Sequence, residues 1–481
     1  MKRIIFTLFV IFFSVQLAIS QNETHALRYS QLYPGGTARF TSMGGAFGAL
    51  GGDFSTLSLN PAGLGVYRSS EITLTPALTY NQVETRYFGS WEDDMKYNFN
   101  LNNIGAVFSF SLGNEGRAGG WRFFNLGIGV NRHNNFNQRW AAEGFNTENS
   151  LMTSMLEQAN REGSVENLDD FSTGLAWDTY LLDMFEGDFF VDMPDGQVLQ
   201  RQETNSAGSI REVVLSAAAN YNDRVYIGAT IGFPSLRHEE ESIFRESDNQ
   251  NASQYFNSLT YSRFQETGGT GINFKFGAIF RITDMIRIGG AFHSPTFYEN
   301  TIYYNATMRS DLNLDDYTQV AQSPRGRFEY EVTTPLRAMG SLGLVFGTTG
   351  ILSIDYEYAD YSKMRFRSNE FYGFSDENRT IRESFTAQHS IRAGGELRLS
   401  PVILRAGVSH SGSPYITGVN DGAQTALSAG IGFREQYYFV DFAYTYAFHS
   451  EDYYLYTLDN LRPVEREFNA STFRLTVGWR F

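Results

Sequence analysis

The chain holds seven histidines, His25, His133, His238, His293, His389, His410 and His449, and no cysteine. Histidine is the side chain best suited to move protons or ligate a metal near neutral pH. No two of the seven form an H-x-x-x-H pair, so no helical zinc site is written here. Without cysteine there is no thiolate metal site, no disulfide scaffold and no attachment point for a lipid near the N-terminus. The G-x-S-x-G elbow and the Walker loop are both absent. Gly-Ala-Leu-Gly-Gly at 48–52 has the glycines of a phosphate loop but neither its lysine nor the helix that should follow. A Ser–His pair assembled by folding stays open, but His293, ahead of Ser294-Pro295, reads better as a polar residue at a strand end than as a base. The expectation is a protein that is not an enzyme and uses no cofactor or metal.

The elements that would position any site are read from periodicity. In Ser471–Phe481, Phe473, Leu475, Val477, Trp479 and Phe481 face one way, and Thr472, Arg474, Thr476, Gly478 and Arg480 the other. Ile391, Ala393, Gly395, Leu397 and Leu399 likewise oppose Arg392, Gly394, Glu396 and Arg398, and Tyr438 to Phe448 alternates in the same manner. Roughly fourteen such segments are expected, starting near Glu71, Asn98, Trp121, Ser209, Arg224, Asn257, Met285, Arg327, Gly350, Arg382, Pro401, Gln424, Tyr437 and Asn469. Every second link is short, for example 221–223, 283–284 and 400–401, while the others, such as 367–383, 411–423 and 449–468, are long and polar. A soluble sandwich has no reason to alternate its loop lengths or to set charges against an apolar face on strand after strand. A membrane barrel does both, because its charges face a lumen and its apolar face meets lipid. The fold class expected is therefore all-β, a transmembrane antiparallel barrel of about 14 strands. Trp479, Tyr437 and Tyr438 suit an aromatic girdle.

Composition agrees. Aromatic residues make up 15% and charged residues 19% of the chain, with 46 glycines, as sheet proteins use them. A net charge of −15 excludes a nucleic-acid partner, since no basic stripe could neutralise phosphates. Lys2-Arg3, the apolar run Ile4–Leu17 and Ala18-Ile19-Ser20 read as a secretory signal peptide over residues 1–20, leaving Gln21 as the first mature residue. Beyond it no apolar run is long enough for a spanning helix.

Residues 35–66, GGTARFTSMGGAFGALGGDFSTLSLNPAGLGV, do not alternate. Glycines permit close backbone approach, Pro61 sets its own φ and moves Asn60 out of the helical region, and the Asn60 side chain can close a turn. With the apolar Met43, Phe47, Leu50, Phe54 and Leu57 this predicts a compact plug inside the lumen. The stretch DFSTLSLNPAGLGVY, ending in Asn60-Pro61-Ala62-Gly63, resembles the N-terminal hatch of the FadL/TodX family of outer-membrane transporters of hydrophobic compounds, the long-chain fatty-acid transport family. Residues 275–299, 351–366 and 391–415 resemble further segments of that family, and the likeness runs from about residue 26 to the C-terminus. It implies a hatch over 21–70, a barrel over 71–481 and a place in the outer membrane of a Gram-negative bacterium, as a monomer among outer-membrane lipids. It also implies passive uptake of a hydrophobic small molecule, fatty-acid-like or neutral, that leaves sideways through a gap at a kinked third strand. The terminal Phe481 is similar to the signal read by the barrel assembly machinery.

In the third strand, Trp121–Trp140, Gly127, Gly129 and Asn131 are candidates for the kink; routine lumen glycines below a polar strand top are the other reading. The longest loop, about 140–207, has fourteen acidic and two basic residues and two helix-like stretches, 149–160 and 174–186. In the second, Leu175, Tyr180, Leu181, Met184 and Phe185 could form an outer apolar groove or simply pack the loop. An acidic collar suits neutral hydrophobics better than fatty-acid anions. The alternative function is a structural or surface-binding barrel with a fixed plug. A continuous apolar cavity leading to the third strand would favour transport, and a polar interface the alternative.

Overall fold

The computed structural model describes residues 23–33, 35–113, 119–193, 195–313, 317–368 and 373–481. The leader expected over residues 1–20 lies outside the described residues. Three short helices come first, α1 (Glu23–Ser30), α2 (Ala38–Ser42) and α3 (Thr56–Leu59), and a 3-10 turn, Pro61–Val66, leads to the wall. The wall begins with β1 (Glu71–Tyr87), β2 (Ser90–Ser111), β3 (Trp121–Asn135) and β4 (Gln138–Asn146). An excursion follows, with α4 (Leu151–Glu162), α5 (Thr173–Asp178) and a small hairpin of β5 (Asp183–Phe185) and β6 (Asp188–Phe190). Next come β7 (Val198–Tyr221), β8 (Val225–Ser247), β9 (Phe256–Arg281), β10 (Ile286–His293), β11 (Phe297–Leu312) and β12 (Tyr317–Gln322). The chain continues through β13 (Gly326–Thr333), β14 (Arg337–Phe346), β15 (Gly350–Asp360), β16 (Arg365–Arg367) and α6 (Ser375–Ser384). It ends with β17 (Ala387–Leu399), β18 (Val402–Ser411), β19 (Gln424–Arg434), β20 (Tyr438–Tyr453) and β21 (Val464–Arg480).

Fourteen antiparallel staves close into one barrel, as the alternation predicts. Closure is made by β1, which pairs with β2 on one side and with β21 on the other, Leu78 opposite Phe473. Four staves are each built from two strands, β3 with β4, both along β7, and β15 with β16 among them. In the other two, β10 and β11 both run along β9, and β14 and β13 run beside them in turn. The breaks in these two fall at Pro295 and Pro335, which have no N–H to give to a ladder.

Each expected strand start except Arg382 falls on or beside its own stave, but several staves begin elsewhere. The second begins at Ser90, the fourth at Val198 and the last at Val464, and the tenth begins at Ala387 because Arg382 belongs to α6. The extension of the fourth stave is polar on both faces, so period two carries little apolar signal there. Those of the second and last interleave their few apolar residues with charged ones, Trp91, Met95 and Tyr97 with Asp93, and Val464 and Phe468 with Arg466. The first two staves are joined by Phe88-Gly89 alone, both at positive φ, as a two-residue hairpin requires.

The alternation sorts lipid from lumen. Phe473, Leu475, Val477 and Trp479 are exposed on the outer face, while Thr472 and Thr476 are buried and Arg474 is half-buried. Ile391 and Leu397 face out, and Arg392 and Glu396 are buried inside. The inward charges pair with one another: Glu357 takes both Arg337 (3.1 Å) and Arg392 (2.8 Å), and Arg405 joins Glu396 (2.8 Å) to Asp441 (2.6 Å). Burial of a charge is tolerated where such partners complete it.

Candidate functional site: the hatch, the wall and the break beside the third strand

The segment from α1 to the 3-10 turn fills the lumen. α2 starts at Thr37, whose hydroxyl accepts from Phe40 N and donates to Asp53. Arg39 on this helix donates to Glu396 of β17 at 3.0 Å and to the Gly52 carbonyl at 2.9 Å, tying hatch to wall and hatch to itself. Met43, Phe47 and Leu50 are buried together with Ala291, Met339 and Ile351 of the wall. Phe54 and Leu57 are buried in a second cluster with Leu64, Tyr67, Val107 and Val214.

Asn60 is the joint of the assembly and is fully buried. Its Oδ1 accepts from Ala62 N at 3.1 Å and so caps the 3-10 turn that Pro61 opens. Its Nδ2 donates to the Gly48 carbonyl at 2.6 Å and to the Ala278 carbonyl of β9 at 3.3 Å. His293, read as a polar strand-end residue, lies with Nε2 2.7 Å from the Leu59 carbonyl. The wall makes room with paired glycines. Gly228 and Gly277 are opposite one another on β8 and β9, and a Cβ on either would run into Pro61 or Asn60. These two glycines were not singled out in the sequence, where lumen glycines are many and nothing marks those that touch the hatch.

Gly127 and Gly129 serve the same purpose in β3. A Cβ on Gly127 would meet Leu57, and one on Gly129 would meet the Phe54 ring and the Ile104 carbonyl. Both lie within the ladder to β2, against Val107 and Gly105. That ladder stops at Asn103 and Asn131, whose side chains bond to each other at 2.6 Å, with Asn131 also donating to Ser58 Oγ. Above this point β2 pairs only with β1, and β3 only with β7. Two irregularities coincide with the break. Asn102 is an extra residue in β2 opposite Pro76 of β1, and His133 is an extra residue in β3 opposite β7. A bulge bends its strand and ends regular pairing. Asn102 turns inward to donate to the Gly36 carbonyl at 2.5 Å, and His133 to meet Glu212 at 3.0 Å.

A cavity of about 200 Å³ borders both sides of the break. It is lined by Asn100 and Asn102 of β2 and by Arg132 to Asn135 of β3, with Arg474 of β21 across from the hatch residues Tyr33 and Gly35. Nine amide side chains and two guanidinium groups line it beside Val83, Ala447, Phe468 and Ala470, so it is a mixed site rather than the wholly apolar passage that transit of a plain hydrocarbon would lead one to expect.

Outside the membrane, the excursion packs down on the barrel. α4 forms as expected, with Ser150 capping its start and Gly163 closing it in the left-handed region. The helix expected over 174–186 is corrected. It ends at Asp178, where Thr179 donates back to the Leu175 carbonyl and Tyr180 takes positive φ. Leu175 and Leu181 are buried among Trp140, Phe244 and Met308, and Met184 packs against that cluster. Tyr180 and Phe185 point to solvent at 60% and 68% exposure, so the five residues do not share one face. Glu246, near the top of β8, is buried beneath α4; it accepts from Leu151 N at 2.8 Å and Gln200 Nε2 at 2.6 Å, and burial pushes its carboxyl up to about 7. α1 is held by Arg28, which reaches Glu240 at 3.5 Å and His238 at 3.3 Å. At the other end, the Phe481 N–H and carbonyl both bond Ser70 at 3.1 Å, and its ring is exposed.

No protein-family model matches the chain, and no curated protein matches it. Solved structures do. A Pseudomonas aeruginosa FadL homologue aligns over 94% of this chain and 99% of its own, at 13% identity and a TM-score of 0.56. The Pseudomonas putida toluene transporter TodX aligns over 93% and 99% at 10% identity and a TM-score of 0.55. The Ralstonia pickettii toluene transporter TbuX aligns over 93% and 99% at 14% identity and a TM-score of 0.53. The chain thus has the fold of these proteins along nearly its whole length.

Proposed function

We propose that this chain is an outer-membrane channel for uptake of small molecules with substantial hydrophobic character, plugged by its hatch and opening sideways at the third strand. The observation that carries the reading is the end of the β2–β3 ladder at Asn103 and Asn131, with a bulge on each side and a cavity behind it. A plugged barrel offers water and ions no straight path. A break in the wall offers a solute a route into lipid that needs no movement of the plug. The outward apolar band and the shared fold of the toluene transporters support an outer-membrane site and an uptake role. The hatch extends over 21–70 and the barrel over 71–481 in this reading, with Asn60-Pro61-Ala62-Gly63 as the joint and Asn131 at the edge of the gap. Phe481 serves recognition by the assembly machinery, and the channel works as a monomer without enzymatic chemistry.

The test is uptake of labelled toluene and labelled decanoate by cells with and without the protein, beside planar-bilayer recording of a chain lacking Gln21–Gly65. Faster uptake of either solute, together with a new steady conductance in the folded deletion variant, is expected. Unchanged uptake of both would refute transport, and a folded deletion variant without added conductance would refute the plug. The polar cavity favours a second reading, a surface-binding barrel with a fixed plug, in which uptake is unchanged but the deletion still conducts.

A further inference from the structure

The inward arginines of this barrel divide into two groups. Arg39, Arg337, Arg392 and Arg405 each hold a carboxylate. Arg132 and Arg474, like Arg287, which donates to the Leu50 carbonyl, hold none among the described residues. Arg132 donates to Asn98 at 2.9 Å, to Asn135 at 2.9 Å and to the carbonyls of Asn134 and Gly208. Arg474 donates from one terminal nitrogen to Thr445 at 3.1 Å, and its buried Nε has no partner among the described residues. Both line the cavity beside the break, and no aspartate or glutamate lines it with them. Two guanidinium groups lining one partly open cavity with no carboxylate beside them are an unbalanced arrangement.

The rest of the lining is specific in kind. Asn100 Oδ1 is a buried acceptor and Asn135 Nδ2 a buried donor, each without a partner among the described residues. Native proteins leave few such groups unmatched. One wall is apolar: Phe468, with the His449 ring stacked parallel to it at 4.4 Å. A volume of about 200 Å³ is room for one sugar ring.

We infer that this cavity is a binding site for a hydroxylated organic anion the size of a sugar acid. Its carboxylate meets the guanidinium groups of Arg474 and Arg132. Its hydroxyls, which both give and take hydrogen bonds, match the carboxamide side chains that line the cavity, Asn100, Asn102, Asn134 and Asn135 among them. Its carbon face lies against the apolar side made by Val83, Ala447, Ala470 and the edge of Phe468. The inference rests on the channel reading only for what the site contributes to traffic; binding itself does not depend on transport.

The test is calorimetric titration of the detergent-purified full mature chain with D-galacturonate, D-glucose and decanoate. Galacturonate is expected to bind about tenfold or more tightly than glucose, and decanoate not to displace it. Arg474→Gln should weaken galacturonate about tenfold, with Arg474→Lys retaining part of the affinity. Asn100→Asp, nearly isosteric, should weaken it as well by setting a carboxylate against the ligand's own. Heat-modifiable gel mobility reports that each variant is folded. Equal affinity for glucose and galacturonate, displacement by decanoate, galacturonate binding unchanged in the folded variants, or no saturable galacturonate binding in the millimolar range would each overturn the inference. Because toluene and decanoate uptake are measured separately, such a failure leaves the channel reading standing.

Discussion

Replacing Asn60 by alanine removes three hydrogen bonds at once, to Ala62 N, the Gly48 carbonyl and the Ala278 carbonyl. The site is fully buried, so water cannot replace them. The lost cap costs about 0.5–2 kcal/mol, and leaving the Gly48 carbonyl unpaired costs a further ~1–3 kcal/mol. With overlap between the two, a loss of about 2–4 kcal/mol falls on the hatch, while the barrel ladders are untouched. At about 1.4 kcal/mol per tenfold, hatch amides should exchange hydrogen roughly 30- to 700-fold faster in Asn60→Ala. Exchange read by mass spectrometry should show this in peptides spanning 46–66 and not in 424–434, the length of β19. Asn60→Asp keeps the Oδ1 cap but turns a carboxylate oxygen toward the Gly48 carbonyl, so it should be no better than alanine. If exchange in 46–66 stays within a factor of about three of the parent, Asn60 is not the joint of the hatch and the argument from its three bonds fails.

Two further predictions follow from single groups. Glu246 has its folded pKa raised to about 7 by burial, so its neutral form is the one the structure favours. The stabilisation is complete below the ordinary carboxyl pKa and is lost as pH rises through 7, an effect of about 3 kcal/mol on the docking of α4. Limited proteolysis of the 147–197 excursion should be slower at pH 5 than at pH 8, and Glu246→Gln should remove the difference; an equal pH dependence in the variant would refute the assignment. Gly277→Val should leave a heat-modifiable barrel but displace Asn60, giving raised ion conductance in planar bilayers, and a closed, normally folded variant would show that the wall yields there instead.

The barrel was legible because lipid imposes a strict rule on one face of each strand. Phe473, Leu475 and Val477 alternate with Arg474 and Thr476 whatever else the chain does, and the exposures follow that parity. Where the rule lapses, so did the reading. The upper part of β7 is polar on both faces and that of β21 interleaves Val464 and Phe468 with Arg466, and their starts were placed too late. The helix expected over 174–186 rested on apolar spacing alone, and Thr179, which bonds back to Leu175, ends it early. The hatch was legible from Asn60-Pro61 and the apolar run, but its partners on the wall were not. Gly228 and Gly277 are two glycines among 46, and only the third dimension shows that Pro61 and Asn60 rest on them. Of the three kink candidates in β3, Gly127 and Gly129 lie within the ladder to β2, and Asn131 stands where that ladder ends. The signal missing from the sequence is the pair of extra residues, Asn102 and His133, that accompany the end of the ladder.

How firmly the hatch is held decides between two routes through the barrel. Arg39 gives Glu396 a charged hydrogen bond worth about 1.5–3 kcal/mol. Ala38 N donates to Thr476 Oγ1 at 2.7 Å, Gly48 N to Asp355 at 2.9 Å and Gly44 N to Ser428 at 3.1 Å, each adding roughly 1 kcal/mol. Withdrawing the hatch would also wet Met43, Phe47, Phe54 and Leu57, all buried now, at about 1.5–3 kcal/mol apiece. The sum exceeds the ~5.5 kcal/mol that separates populations by about 10⁴, so a freely swinging hatch would be open in fewer than about one molecule in ten thousand. A solute therefore gains little by waiting for the plug to leave. The break above Asn103 and Asn131 needs none of these contacts undone, because the strands there have already parted. In the proposed channel, the cavity that adjoins the break is then the step at which Arg132 and Arg474 meet a solute on its way to the opening.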